Sequence, residues 1–142
     1  MENRPDLSEE KITRVRDLMN ENVLDSLVID YEMLIESLSL PDPDDRHVLA
    51  AAIRSGAGTI VTYNTKDFPA AMLSPYGVEA QHPDEFLMHL IDPHPAATSA
   101  AAKRHRARLK NPPRTVNEYL GTLAKLSLPE TVARLQEYSE VI

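Results

Sequence analysis

The spacing of hydrophobic and polar positions changes along the chain. The N-terminal part contains both helix and strand patterns, and the C-terminal part contains helix patterns only. Apolar residues recur at helical spacing after Ser8 and predict an amphipathic helix that Ser8 caps. The partly β-branched stretch SLVIDY, residues 26–31, predicts a weaker strand, and a short helix follows it and ends at Pro41. The stretch GTIVTY, residues 58–63, is the clearest strand pattern.

A second amphipathic helix lies between these two strand patterns. Asp44 or Asp45 is predicted to cap its first turn, and Gly56 is predicted to end it. After a turn and a short helix, GVEAQ at residues 77–81 predicts a further strand. Alternation of strands and helices is typical of a parallel sheet with helices packed on its faces.

The pattern becomes purely helical near residues 93–97. A basic helix comes first, and two amphipathic helices hinged near residues 127–129 follow it. We therefore predict two domains, an α/β domain at residues 1–93 and a helical C-terminal extension at residues 97–142.

The composition excludes several kinds of site and of protein. The 142 residues include no cysteine, which excludes disulfides, a thiolate nucleophile and a cysteine-ligated zinc site. No run of 18 apolar residues and no charged-then-apolar leader occurs, so we expect a cytoplasmic protein with no membrane partner.

The charge is divided unevenly along the chain. Residues 1–95 have a net charge of −11 and residues 96–142 a net charge of +4. A basic segment at residues 103–114 supplies most of the positive charge, and it could meet a phosphate backbone, an acidic surface or only solvent. The predicted RNA-binding residues in this segment are Lys103, Arg104, Arg106, Arg108, Lys110 and Arg114.

The aspartates around the clearest strand are candidates for metal binding. Asp42, Asp44 and Asp45 open the helix before this strand, and Asp67 follows the strand. Ligands collect at the carboxyl ends of strands in an open parallel sheet, so the two groups meet there if a strand also precedes Asp42. Converging carboxylates bind Mg²⁺ or Mn²⁺, which polarise a phosphodiester and activate a water.

A structural explanation of the same residues stays open, because Asp-Pro-Asp-Asp also suits a turn followed by a helix cap. Other catalytic motifs are missing. His82 and His89 do not form a HExxH pattern, the four glycines form no phosphate-binding loop, and nothing marks a serine as a nucleophile.

Three stretches of the chain carry a family resemblance. DPDDRHVLAAAIRSGAGTIVTYNTKDFP, residues 42–69, resembles the second half of PIN domains, the fold of VapC-type toxins and related nucleases. SPYGVEAQHPDEFL, residues 74–87, resembles the continuation in one VapC-like subgroup. RHRARLKNPPRTVNEYLGTLAKLSLPETVARL, residues 104–135, resembles the helical C-terminal extension of that subgroup.

The resemblance implies a Rossmann-like three-layer α/β fold, Mg²⁺-dependent endoribonuclease activity and a cognate antitoxin. By position, Asp45 matches the acid that opens the family helix, and Asp42 is an accessory acid. Asn64 stands where many members have a fourth acid, and Asp67 is its substitute. Asp42, Asp45 and Asp67 are the implied metal ligands. Asn64 and Thr62 complete the implied catalytic set, and Thr62 would orient a metal-bound water.

The chain departs from the family at its N-terminal side. Family members begin with a strand that ends in a metal-binding aspartate, and a helical glutamate follows; this chain begins at ENRPDLSEEK. The resemblance therefore implies an N-terminally truncated PIN-like sheet completed by a separate N-terminal PIN segment or by a homo-oligomer. The alternative function is a catalytically deficient PIN remnant that binds an antitoxin or a toxin. A plain nucleic-acid-binding helical module ranks third, because the acidic body repels nucleic acid.

Overall fold

The computed structural model describes residues 8–142, which divide between Ala57 and Gly58 into two units. The described part of the first unit contains three helices, α1 (Glu9–Asn22), α2 (Glu32–Ile35) and α3 (Arg46–Ser55). The predicted cap of α1 is confirmed, because the Ser8 hydroxyl accepts a hydrogen bond from the Lys11 backbone N–H at 3.4 Å. Although α1 is amphipathic, none of its residues is buried.

The strand predicted at residues 26–31 is wrong, since this stretch has no regular secondary structure. Asp25, which directly precedes the stretch, and Asp30, within it, have φ values of 59° and 60°. These are left-handed conformations, in which a strand cannot continue. The acidic cluster is therefore preceded by the short helix α2 and not directly by a strand.

A short 3₁₀ turn, Pro43–Asp45, leads into α3. Asp45 is the N-cap residue of α3, which is one of the two predicted positions, but its side chain makes no capping hydrogen bond. The side-chain cap of the preceding 3₁₀ turn comes from Asp42, whose carboxylate accepts the Asp44 N–H at 2.9 Å. Asp42 has the extended backbone that a cap residue needs, whereas the backbone of Asp45 is already helical. Gly56 ends α3 with a φ of 71°, as predicted.

The second unit begins with a small parallel sheet. Strand β1 (Thr59–Val61) pairs with β2 (Glu79–Gln81), with Thr59 opposite Glu79, and helix α4 (Ala70–Leu73) lies between the strands in sequence. The two strands and their parallel pairing are confirmed. The described chain is otherwise mostly helical, so the three-layer PIN-like sheet stays a prediction.

Four helices follow β2: α5 (Pro83–Ile91), α6 (Pro95–Arg108), α7 (Val116–Lys125) and α8 (Pro129–Gln136). This confirms the helical C-terminal pattern and the break near residues 127–129, where Ser127 has a φ of 59°. Helix α8 packs against α5 and α7. Five buried residues form the helical core: Ala102, Tyr119, Leu120, Leu135 and Ile142.

The predicted domain boundary at residues 93–97 overlaps the start of α6 and stays a prediction. None of the helices in the described part of the chain is both long enough and apolar enough to cross a membrane.

Candidate functional site

The acidic turn before α3 holds its carboxylates in different surroundings. The Asp42 carboxylate is engaged with the backbone of Asp44, and Asp44 is exposed. Asp45 is half-buried, and its side chain makes no capping hydrogen bond. The backbone oxygen of Asp44 contacts Nδ1 of His47 at 2.6 Å. Asp45 is therefore the acid of this turn that is partly shielded from water and whose carboxylate is not occupied by a capping hydrogen bond.

The turn after β1 brings three predicted site residues together. Sheet pairing continues one residue past β1, because the Thr62 N–H donates to the Gln81 carbonyl at 3.0 Å. The Asn64 N–H then donates to the Thr62 hydroxyl at 3.1 Å, and the Asn64 amide donates to the half-buried Asp67 carboxylate. Thr62, Asn64 and Asp67 therefore form one polar turn at the carboxyl end of a parallel strand.

The acidic turn before α3 and the polar turn after β1 belong to different units of the chain. Asp42 and Asp45 belong to the first unit, and Thr62, Asn64 and Asp67 belong to the second. Within neither unit do three or more His, Cys, Asp or Glu side chains of residues 8–142 form a group that could hold a metal ion. A site that joins Asp42 and Asp45 to Asp67 stays a prediction.

The basic segment is exposed except at one position. Arg106 is half-buried, and its guanidinium donates to the carbonyl of Arg114 at 2.8 Å and to the backbone oxygen of Ile142 at 3.0 Å. Arg106 therefore joins the end of α6 to two other segments of the same unit. The other five predicted RNA-binding residues are exposed, namely Lys103, Arg104, Arg108, Lys110 and Arg114.

One important acid was missed by the sequence predictions. Asp84, in the first turn of α5, is only 7% exposed, and its carboxylate accepts the N–H groups of Glu130 at 2.9 Å and Thr131 at 2.8 Å. These N–H groups belong to the first turn of α8, in which Pro129 has no N–H to offer. Asp84 therefore caps a helix that lies 46 residues further along the chain.

The ionisation of Asp84 reflects this role. Burial by itself raises the pKa of the Asp84 carboxyl, but hydrogen bonds from Thr131 and Glu130 outweigh burial and hold the pKa below its ordinary value. The nearby His82 acts in the same direction. The sequence shows a proline at the start of α5 and of α8, but it does not show that Asp84 of α5 contacts the first turn of α8.

Comparison with known proteins locates a family relationship in this part of the chain. Residues 83–137 match the family described as VapC50 C-terminal domain. This region begins next to Asp84 and contains the whole of α8. No solved structure matches the chain.

A curated relative supports the same relationship. Over 90 residues the chain is 41% identical to a protein of Mycobacterium tuberculosis (strain ATCC 25618 / H37Rv) named "Putative ribonuclease VapC50". The match covers 63% of this chain and 53% of the relative, so the chain spans about half the length of the relative. The predicted resemblance to VapC-like proteins is therefore confirmed.

Proposed function

We propose, on the premise that this chain is related to the VapC-like toxins, that it forms part of a Mg²⁺-dependent endoribonuclease of a toxin–antitoxin system. The observation that carries the proposal is the polar turn of Thr62, Asn64 and Asp67 at the carboxyl end of β1. This is the edge of a parallel sheet at which ligands collect. The matched relative bears the name of a ribonuclease. Cytoplasmic RNA would be the substrate, and a cognate antitoxin would be the inhibitory partner.

The residues of the two turns suit a hard divalent ion. Asp45 and Asp67, supported by Asp42, would supply the carboxylate oxygens that Mg²⁺ or Mn²⁺ prefers. When bound, the ion would supply a Lewis acid and an activated water. Asn64 holds the Asp67 carboxylate through its amide. The Thr62 hydroxyl accepts from the Asn64 N–H, so its own hydrogen can be donated to a water.

Substrate binding would depend on the basic segment. Its five exposed cations lie on α6 and on the loop after α6, in the same unit as the Asp67 turn. Lysine and arginine bind the RNA backbone by neutralising phosphates and displacing counterions, whatever the base sequence. This mode of binding fits a ribonuclease whose protein surface provides affinity while the metal site provides the chemistry.

The exposed apolar residues of α1 support the proposal that a further polypeptide packs on this helix. Ile12, Val15, Leu18 and Met19 are each between 47% and 57% exposed. Soluble proteins rarely expose a contiguous apolar surface of this kind unless another chain covers it. We propose a separate N-terminal PIN segment as the occupant, and self-association of this chain is the outcome that would replace it.

Cleavage of single-stranded RNA tests the proposal. We expect the chain, mixed with an N-terminal PIN segment, to cut RNA with Mg²⁺ or Mn²⁺ and to stop when EDTA removes the metal. Asp45→Asn and Asp67→Asn should each lower the rate by at least about 100-fold, because a ligand of the activating ion is lost. Asp44→Asn is the matched control in the same acidic turn and should retain activity.

The proposal fails if no metal-dependent cleavage occurs with or without the complementing segment. It also fails if Asp44→Asn is as damaging as Asp45→Asn, because the turn would then have only a structural role.

The second candidate function is a catalytically deficient module that binds an antitoxin or a full-length toxin. Two observations favour it: the exposed apolar face of α1, and the lack of a metal-holding group within either described unit. Calorimetry with Mg²⁺ separates the two functions. Binding of purified antitoxin together with no uptake of Mg²⁺ in the complemented chain would support the module and exclude the nuclease.

A further inference from the structure

The turn that carries Asn64 and Asp67 is connected to a distant part of the chain through Tyr63. The Tyr63 hydroxyl donates a hydrogen bond to the carbonyl of Leu126 at 2.8 Å, across 63 residues of sequence. Leu126 lies directly after α7, and the next residue, Ser127, has the left-handed backbone that turns the chain towards α8. One side chain therefore joins the end of β1 to the α7–α8 junction.

A second contact of Tyr63 leads to the same junction. Its ring meets the ring of His82 edge to face, with centroids 5.2 Å apart and planes at 86°. Nδ1 of His82 accepts the Asp84 N–H at 3.1 Å, and the Asp84 carboxylate caps α8. The hydroxyl reaches the end of α7, and the ring reaches the start of α8 by way of His82 and Asp84.

Burial does not explain why Tyr63 makes these contacts. Tyr63 is 58% exposed, so the apolar area that it removes from water is small. Its place in the sequence is more informative, because it stands between Thr62 and Asn64, two residues of the polar turn. A displacement of the Tyr63 backbone also displaces Asn64, because the two residues are joined by a peptide bond.

We infer that Tyr63 is a positioning residue, through which the C-terminal helices hold the Asn64–Asp67 turn in place at the end of β1. The inference rests on the proposed function in so far as this turn acts in RNA cleavage. It gives the C-terminal helices a role at the candidate site in addition to carrying the basic segment. Preorganisation by such contacts is general, because small displacements of a reacting group cost rate.

Hydrogen exchange tests the connection without any need for activity. Tyr63→Phe removes the hydroxyl and keeps the ring that meets His82. Tyr76→Phe is the matched control, since Tyr76 is a 46% exposed tyrosine of the same unit that lies outside the Asn64–Asp67 turn. In Tyr63→Phe, the amides of Asp67 and Phe68 should exchange about fivefold faster, as expected for the loss of one hydrogen bond that restrains the turn.

Unchanged exchange at both amides in Tyr63→Phe, or an equal change in Tyr76→Phe, would overturn the inference. In the complemented, Mg²⁺-loaded enzyme, kcat for RNA should fall about fivefold in Tyr63→Phe while KM stays the same, because the basic segment is untouched. Faster exchange with an unaltered kcat would also overturn it. Absence of cleavage in the unmodified complex would instead overturn the proposed function, and the exchange result would still decide the connection.

Discussion

At the scale of single residues, Asp84 shows how one buried carboxylate can fix the packing of two helices. It satisfies two N–H groups at the start of α8 from a position in the first turn of α5. The start of α5 is capped by the His82 side chain, whereas the N-cap residue of α8, Leu128, provides no side-chain cap. The matched family region, residues 83–137, contains both partners of this contact.

Replacing Asp84 by asparagine should lower the free energy of unfolding by about 2–3 kcal/mol, because a charged acceptor of two buried hydrogen bonds becomes neutral. Asp92→Asn is the control at the other end of α5. Asp92 pairs with Arg134 at 3.2 Å, but its side chain is 54% exposed, so its loss should cost under about 0.5 kcal/mol. Urea denaturation at pH 7 measures both variants, and equal losses would contradict the role of Asp84.

The same residue predicts a pH dependence. Because the folded pKa of Asp84 lies below its unfolded value, its contribution is fully present above the unfolded pKa of about 4. The contribution is lost as the pH falls from about 4 through the lower folded pKa. Stability measured between pH 5 and pH 2 should therefore fall more steeply in the unmodified chain than in Asp84→Asn. Parallel curves would show that the carboxylate is not preferentially charged in the folded state.

Arg106 is the residue for which sequence and structure suggest different tasks. Its position in the basic segment predicted RNA binding, yet its guanidinium is already bound to two backbone oxygens. Arg106→Ala should lower the free energy of unfolding by about 1–2 kcal/mol, since two hydrogen bonds of a half-buried cation are lost. Arg104→Ala, at an exposed position of the same helix, should change stability by less than about 0.5 kcal/mol. Thermal unfolding distinguishes the two variants, and the reverse order would refute this assignment.

At the scale of elements, α1 differs from the helices of the second unit. It has a capped N-terminus and an apolar stripe, but it buries none of its 14 residues. An isolated helix of this length is marginal in water, because most helical stability in proteins comes from packing of the apolar face. The helix α8, by contrast, is shorter but buries Thr131 and Leu135.

The exposed face of α1 leads to a prediction about complementation. Val15→Glu together with Met19→Glu should leave the melting temperature of the isolated chain almost unchanged, because both side chains are already 57% exposed. The same pair should abolish binding of the N-terminal segment, because it introduces charges into the proposed contact. Thr13→Glu, at a polar position of the same helix, is the control. Titration of the labelled segment measures the effect, and undiminished binding to the double variant would place the contact elsewhere.

At the scale of the whole molecule, the excess negative charge belongs to one part of the sequence. Residues 1–57 carry 13 acidic and 6 basic side chains, a net charge of −7, and residues 58–142 carry nine of each. The unit with the basic segment is therefore neutral overall and can approach RNA through its exposed cations.

Removing two of these cations should weaken RNA binding and reduce its salt dependence. For Arg104→Ala with Arg108→Ala, the slope of log K against log salt should become shallower by about 1.4, because roughly 0.7 counterions are released per contacted phosphate on a single strand. Glu118 and Glu130 lie outside the basic segment, and Glu130→Gln serves as a control that should not reduce the slope. Filter binding at several salt concentrations measures the slopes, and an unaltered slope would exclude the basic segment from the RNA contact.

The sequence alone determined the features that depend on neighbouring residues. Ser8 and Gly56 were identified as helix ends because a hydroxyl cap and a left-handed glycine act within one turn. The strand at Thr59–Val61 and the break near Ser127 were also predicted correctly, from β-branched residues and from the proline that follows. The grouping of Thr62 with Asn64 and Asp67 was accessible for the same reason, since all three lie within one turn.

Only the tertiary structure decided the features whose partners lie far along the chain. Residues 26–31 have a β-like composition, but a strand exists only if a second strand pairs with it and the backbone stays extended. Tyr63, Asp84 and Arg106 have backbone partners 63, 46 and 36 residues away, and no local pattern specifies such partners. The identity of a hydrogen-bonding side chain does not specify which distant carbonyl or N–H group will be its partner. That partner is determined by how the helices and strands pack in the folded chain.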